Sequence, residues 1–252
     1  MKKKEIVFAS ILTVLLAFMD ISGIPMVLCV NINVLDINPI YFALLLNFIF
    51  MGIIAFLFFR YLCPNWKLGF NKIGIISGLK KYGIVGIIVG LITGIAFYIG
   101  LKFDAHPSIW KILIEGIIYY IGVAIIEELY VRGLLLNLIE KICHKSKNST
   151  LIGIVVSSVV FGLGHIFGVL GEPILIIITK VVWTIAMGMY FGVIYKKTNN
   201  LLIPIILHFI INICALPYCF TTNTSYPMIS LYIILPTYLI LGFYSLYIIK
   251  KG

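Results

Sequence analysis

The feature that most constrains this chain is a rhythm of apolar runs. Eight times a stretch of about twenty residues passes with few ionisable side chains, and short polar or basic segments separate the stretches. A bilayer core takes about 20 apolar residues as a helix. With no water to satisfy backbone N–H and C=O groups there, only helices and closed barrels cross it. The runs are read as helices of that length. The predicted spans are 6–30, 39–59, 82–100, 112–138, 151–169, 173–195, 201–216 and 226–249. The fourth is long enough to tilt, protrude or break, and the seventh is short.

Composition agrees. Of 252 residues, 62% are hydrophobic and 11% are charged, against about 25% charged in an ordinary soluble domain. A polar shell around a core cannot be built from this inventory. The net charge of +10 would suit a nucleic acid partner, but the basic residues lie in short clusters between the spans, which suits membrane topology. With the N-terminus placed in the cytoplasm, fifteen Lys and Arg residues fall in cytoplasmic segments and two, Lys102 and Lys111, in outer loops. Arg132 and Lys180 fall within spans. The expected architecture is therefore all-α and polytopic, with about eight transmembrane helices, both termini cytoplasmic, and one domain over 1–252. The basic start is read as the edge of a retained first helix rather than a cleaved signal. The longest connection, 60–81, is expected at the cytoplasmic surface. Cys29, Cys63, Cys143, Cys214 and Cys219 show neither metal spacing nor a disulfide framework.

Ionisable residues inside a span cost about 3 kcal/mol each on insertion scales, so they ask for a partner or a task. The candidates are Asp20, Glu115, Glu127, Glu128, Arg132, His165, Lys180, His208 and Asn212. Helical residues four apart share a face. Glu128 can therefore pair with Arg132, while Glu127 is turned about 100° away. Phe161 and His165 share a face, as do His208 and Asn212. At about 1.5 Å per residue, Glu127 lies roughly 16 Å from the inner side, His165 roughly 21 Å, and His208 and Asn212 roughly 10 and 16 Å. Three helices thus bring polar groups to one zone near mid-membrane.

Such a cluster suits water activation. A carboxylate beside an imidazole can take a proton from water, and an imidazole and a carboxamide can donate to an oxyanion. Alternatively, Glu127, His165 and His208 form a donor set of the kind that holds catalytic zinc.

Three motifs stand on these helices: EELYVR at 127–132, FGLGH at 161–165 and HFIIN at 208–212. They resemble the EExxxR, FxxxH and HxxxN motifs of the CPBP family of intramembrane proteases, also called the Abi or CAAX-protease family, over about residues 112–215. The resemblance implies a membrane-embedded endopeptidase acting on a membrane-associated protein or peptide. Glu127 and His165 would activate water, His208 and Asn212 would form the oxyanion hole, and Glu128 and Arg132 would support them. It implies a glutamate-activated water without a metal cofactor, with zinc as the alternative. It also implies, for a bacterial cell-membrane member, a part in CAAX-type processing or in bacteriocin maturation or self-immunity. A non-catalytic immunity or scaffold protein on the same fold is the competing reading. A transporter is a third, disfavoured by the lack of an inverted repeat.

Asp20 and Lys180 fit no motif; mutual pairing, a water-filled cavity or a place nearer an interface is expected for them, in a structural role. Glu115 and Glu140 are expected near the membrane surfaces, and Phe161 in packing. Gly162, Gly164, Gly168 and Gly171 are expected to permit close helix packing. The sequons at 148–150 and 223–225 are short matches of the kind that arise by chance.

Overall fold

A computed structural model describes residues 3–21, 35–62, 67–223 and 225–251. Among these residues the elements are helical, and eight long helices follow the eight apolar runs: α1 Lys3–Ile21, α2 Pro39–Leu62, α3 Ile75–Gly100, α4 Ile109–Ile142, α5 Ser149–Gly164, α6 Ile174–Thr198, α7 Leu202–Ile213 and α8 Met228–Lys250. Seven of the helical runs are long and apolar enough to cross a membrane; α1 is not among them. The rest of the predicted first span, beyond Ile21, lies outside the described residues, as do Cys29, Cys63 and Thr224 of the second sequon. The protein is an integral, multi-pass membrane protein.

Local chemistry sets the ends. Ser108 caps α4, its hydroxyl accepting from the Lys111 N–H at 3.2 Å. Helix α6 closes on Asn199 in the left-handed region, at φ 49°. Residues 60–81 are less of a loop than predicted, because helix resumes at Ile75 and runs into α3. The segment before it packs on the α6–α7 turn: Leu201 N–H donates to the Leu68 carbonyl at 3.3 Å and the Asn200 amide to the Asn71 carbonyl at 2.6 Å. Gly69, at φ 68°, is needed there, since a Cβ would stand 1.8 Å from the Asn199 carbonyl oxygen.

Helix α4 neither breaks nor ends early. Its 34 residues reach about 51 Å at 1.5 Å each, so it is longer than a bilayer core and extends beyond it. Two π-helical segments, Ile114–Ile118 and Leu129–Leu136, shift its register. One face carries Ile126, Tyr130, Leu134 and Leu138 onto α1 and α2. The other carries Glu128, Val131 and Arg132 toward α5, α6 and α7. Helix α7 is the shortest of the eight, packed among α3, α4 and α6, and is prolonged by a 3-10 turn over Leu216–Phe220.

Because lipid is as apolar as the core, polar ties and close contacts carry the packing. Tyr130 Oη donates to the Met51 carbonyl at 2.7 Å, joining α4 to α2. Glu115 is buried, and its carboxylate accepts from the Asn38 N–H at 2.7 Å at the start of α2. Glu140 pairs with Lys196 and Thr150. Outside the spans, the exposed Asp104 carboxylate accepts from the Thr222 N–H at 2.8 Å, which holds it below its usual range. Of the four glycines singled out in sequence, Gly162 makes the close approach, its missing Cβ leaving room for Ile185 and the Val181 carbonyl of α6. Gly168 and Gly171 lie beyond the end of α5 with open space around them.

Candidate functional site

The motif helices place their polar side chains against one another at the centre of the bundle. Glu128 and Arg132 are both fully buried and form an ion pair, Nη1 to Oε1 at 2.7 Å. The same Oε1 lies 2.9 Å from Nδ1 of His208, reaching across from α7. The other ring nitrogen of His208, Nε2, lies 3.6 Å from Oε2 of Glu127, too long for a direct hydrogen bond. His208 therefore stands between the two carboxylates, one on each side of the ring.

Aromatic faces enclose the guanidinium. Arg132 sits over Phe161 at 4.4 Å and Phe191 at 5.4 Å from the ring centroids. Both phenyl rings are fully buried, so the attraction of their π faces for the cation is little screened. Phe191 also stacks on His208 at 5.2 Å. Phe161 meets His165 edge-on at 4.5 Å and His208 at 6.0 Å. The Phe of FGLGH is thus the hub joining Arg132, His165 and His208.

His165 lies at the C-terminal end of α5, where the helix gives way to a turn. Its Nδ1 is 2.8 Å from the Phe161 carbonyl oxygen. A carbonyl only accepts, so Nδ1 carries the hydrogen and Nε2 of the neutral ring is left as an acceptor. Asn212 lies one turn beyond His208 on α7, half-buried, and its side chain makes no hydrogen bond to another described residue.

The local helix geometry serves this cluster. The longer π segment starts right after Glu128 and contains Arg132; such segments insert an extra residue per turn and are frequent at functional sites. At its far end the Asn137 amide donates to the carbonyls of Arg132 at 3.3 Å and Gly133 at 2.9 Å, and is itself held by Tyr195 and Lys196. Asn137 and Phe191 were not singled out in sequence. A polar residue in an apolar helix could have flagged the first, whereas nothing distinguishes Phe191 from its aromatic neighbours.

Residues 109–214 match the family model for type II CAAX prenyl endopeptidase, Rce1-like. This part of the chain is similar to the Rce1-like family. It is the family the three motifs resemble, and the match takes in α4, α5, α6 and α7 through Asn212. No curated protein matches the chain, and no solved structure does.

Within the Rce1-like segment the zinc alternative can be tested on donor geometry. Glu127 and His208 are spaced as two ligands of one ion could be. The set goes no further: among the described residues no three His, Cys, Asp or Glu side chains converge to hold a metal ion. As arranged, Glu127, His165 and His208 do not fit a metal.

The two unassigned charges part company. The side chain of Asp20 lies outside the described residues. Lys180 of α6 reaches the Tyr226 hydroxyl at 3.0 Å and sits over the rings of Trp183 at 4.8 Å and Tyr226 at 5.4 Å.

Proposed function

We propose that the protein is an intramembrane endopeptidase that uses Glu127 to activate water against a peptide bond of a membrane-associated protein or peptide. The observation that carries this reading is the buried contact of His208 with both Glu127 and Glu128, inside membrane-spanning helices of an Rce1-like segment. A structural salt bridge needs only Glu128 and Arg132. The second carboxylate and the imidazole exceed that need.

The charges support the role. With His208 neutral, ionised Glu127 and Glu128 beside Arg132 leave one net negative charge in a low-dielectric setting. Taking a proton from water brings the cluster to zero, which makes Glu127 the natural base. His165, with Nε2 free to accept, can hold the same water. The hydroxide adds to the scissile carbonyl carbon, and its oxygen becomes the oxyanion. Asn212, whose amide has no other described partner, supplies a donor for it. When the C–N bond breaks, the proton held at Glu127 passes to the leaving amine. Phe161 and Phe191 pack on His165 and His208 beside these groups. No metal enters any step.

Substrate processing of CAAX type, or of a bacteriocin in a bacterial membrane, is the class of task this chemistry serves. The test compares new protein N-termini in membranes of cells expressing wild type or Glu127→Ala at matched levels. Peptide ends found with wild type alone are expected. Equal patterns in both, with both proteins folded and inserted, remove Glu127 from catalysis. The competing immunity or scaffold reading draws on the same bracing of four helices around Arg132. It predicts that Glu127→Ala keeps any protective phenotype.

A further inference from the structure

Lys180 has no task in the mechanism above. It is the seventh residue of α6, within a membrane span, where an ammonium is costly and calls for a partner. Among the described residues it forms no ion pair; its neighbours are the Tyr226 hydroxyl and the rings of Trp183 and Tyr226. With no carboxylate within ion-pair distance among the described residues, the cation is able to take an anion from outside.

Its place relative to the candidate site is fixed by a close crossing of α5 and α6. Gly162 lies against the Val181 carbonyl. Lys180 is the residue before Val181, and His165 lies about one turn beyond Gly162. The charge of Lys180 accordingly acts on both His165 and His208. On the other side, Tyr226 is flanked by Tyr218 at 6.0 Å and Phe97 at 6.2 Å. The Tyr218 hydroxyl is buried with no hydrogen-bond partner among the described residues. One ammonium and two phenolic hydroxyls are thus grouped on a wall of aromatic rings. Tyr226 accepts from Lys180 and keeps its own hydrogen to donate. A carboxylate matches these donors, and the rings suit the aliphatic side chains beside it. A phosphate would bring up to about two negative charges against this one ammonium.

We infer that Lys180 is the anchor for the carboxylate at the substrate's chain terminus. The inference rests on the endopeptidase reading and adds to it a residue that selects for a free chain terminus. Three extended residues span about 10 Å, the separation between Lys180 and Glu127 that cleavage a few residues inside the terminus requires. A CAAX sequence ends in such a carboxylate.

The test uses the full chain in detergent and two internally quenched peptides, each a farnesylcysteine followed by Val-Ile-Met. One ends in a free carboxylate and the other in a primary amide. Wild type is expected to cleave the acid at least about tenfold more efficiently, mainly through KM, as loss of a charge-assisted contact implies. Lys180→Met is expected to lose that preference and Lys180→Arg to retain most of it. Equal cleavage of both peptides by wild type overturns the inference, as does a Lys180→Met enzyme that still prefers the acid. Should Lys180→Met fail to fold, the wild-type preference decides alone. Cleavage of neither peptide by wild type counts against the CAAX-type endopeptidase reading itself, and the inference falls with it.

Discussion

Arg132 holds the candidate site together at the level of single side chains. Its charge is taken up by Glu128, its planar faces by Phe161 and Phe191, and Glu128 in turn holds Nδ1 of His208. Removing the cation strands a buried carboxylate, the costlier half of a broken pair. Arg132→Met is expected to destabilise the protein by about 3–5 kcal/mol, read as a drop in thermal midpoint in detergent. Arg132→Met with Glu128→Leu removes both charges and is expected to recover much of that loss, since apolar replacements of buried pairs are often neutral. It should still be inactive, because His208 loses the acceptor that orients it. Recovery of activity along with stability would contradict a positioning role for the pair. A lysine at 132 cannot substitute, because a compact ammonium does not offer a plane to two phenyl rings.

At the level of helices, irregular turns are stabilised by side chains from their neighbours. In α3 the Tyr190 hydroxyl accepts from the Gly86 N–H at 2.9 Å and donates to the Tyr82 carbonyl. It bridges the two backbone groups that a helical bond from residue 86 to residue 82 would join, beside the π segment Leu79–Gly83. Gly86 has no Cβ, which would otherwise meet the ring at 2.8 Å. Tyr190→Phe removes the oxygen and leaves two backbone groups unpaired, at an expected cost of about 1–3 kcal/mol. Faster amide exchange at Gly86, with that at α5 unchanged, is the signature; uniform exchange along α3 would mean that the turn closes by itself. In α4 the comparable part is played from within the helix, by the Asn137 amide that donates to the Arg132 and Gly133 carbonyls. These devices were not legible in the sequence. Apolar periodicity carries no mark of an extra residue per turn when every face of a helix is apolar, and Tyr190 and Phe191 look like ordinary core aromatics until α6 is laid beside α3 and α4. The helices themselves were legible, because an apolar run longer than a strand needs leaves the backbone one way to satisfy itself. So was the Glu128–Arg132 contact, which lies within one helix. His208 was expected beside Asn212 in an oxyanion hole. Its contact with both carboxylates depends on how α7 meets α4, a tertiary fact that spacing within either helix does not encode.

For the whole molecule, the arrangement of charge predicts a direction. Large apolar side chains such as Phe56, Tyr98, Ile240 and Phe243 face outward, as a lipid-embedded surface requires. The basic residues gather at one end of the bundle: Lys141 at the end of α4, Lys196 and Lys197 at the end of α6, and Lys250 at the end of α8. Each of these helices has even rank in the chain, so an N-terminus in the cytoplasm brings all three ends to the cytoplasmic side, where Lys and Arg are retained. Cys143 makes this testable, because it is partly exposed in the short α4–α5 connection. In a variant with the other four cysteines replaced by serine, a membrane-impermeant maleimide is expected to label Cys143 in inside-out vesicles and not in intact cells. A cysteine placed at Ser108, before α4, is expected to show the reverse. Labelling of Cys143 from outside the cell would invert the topology, and with it the side from which a substrate reaches Glu127.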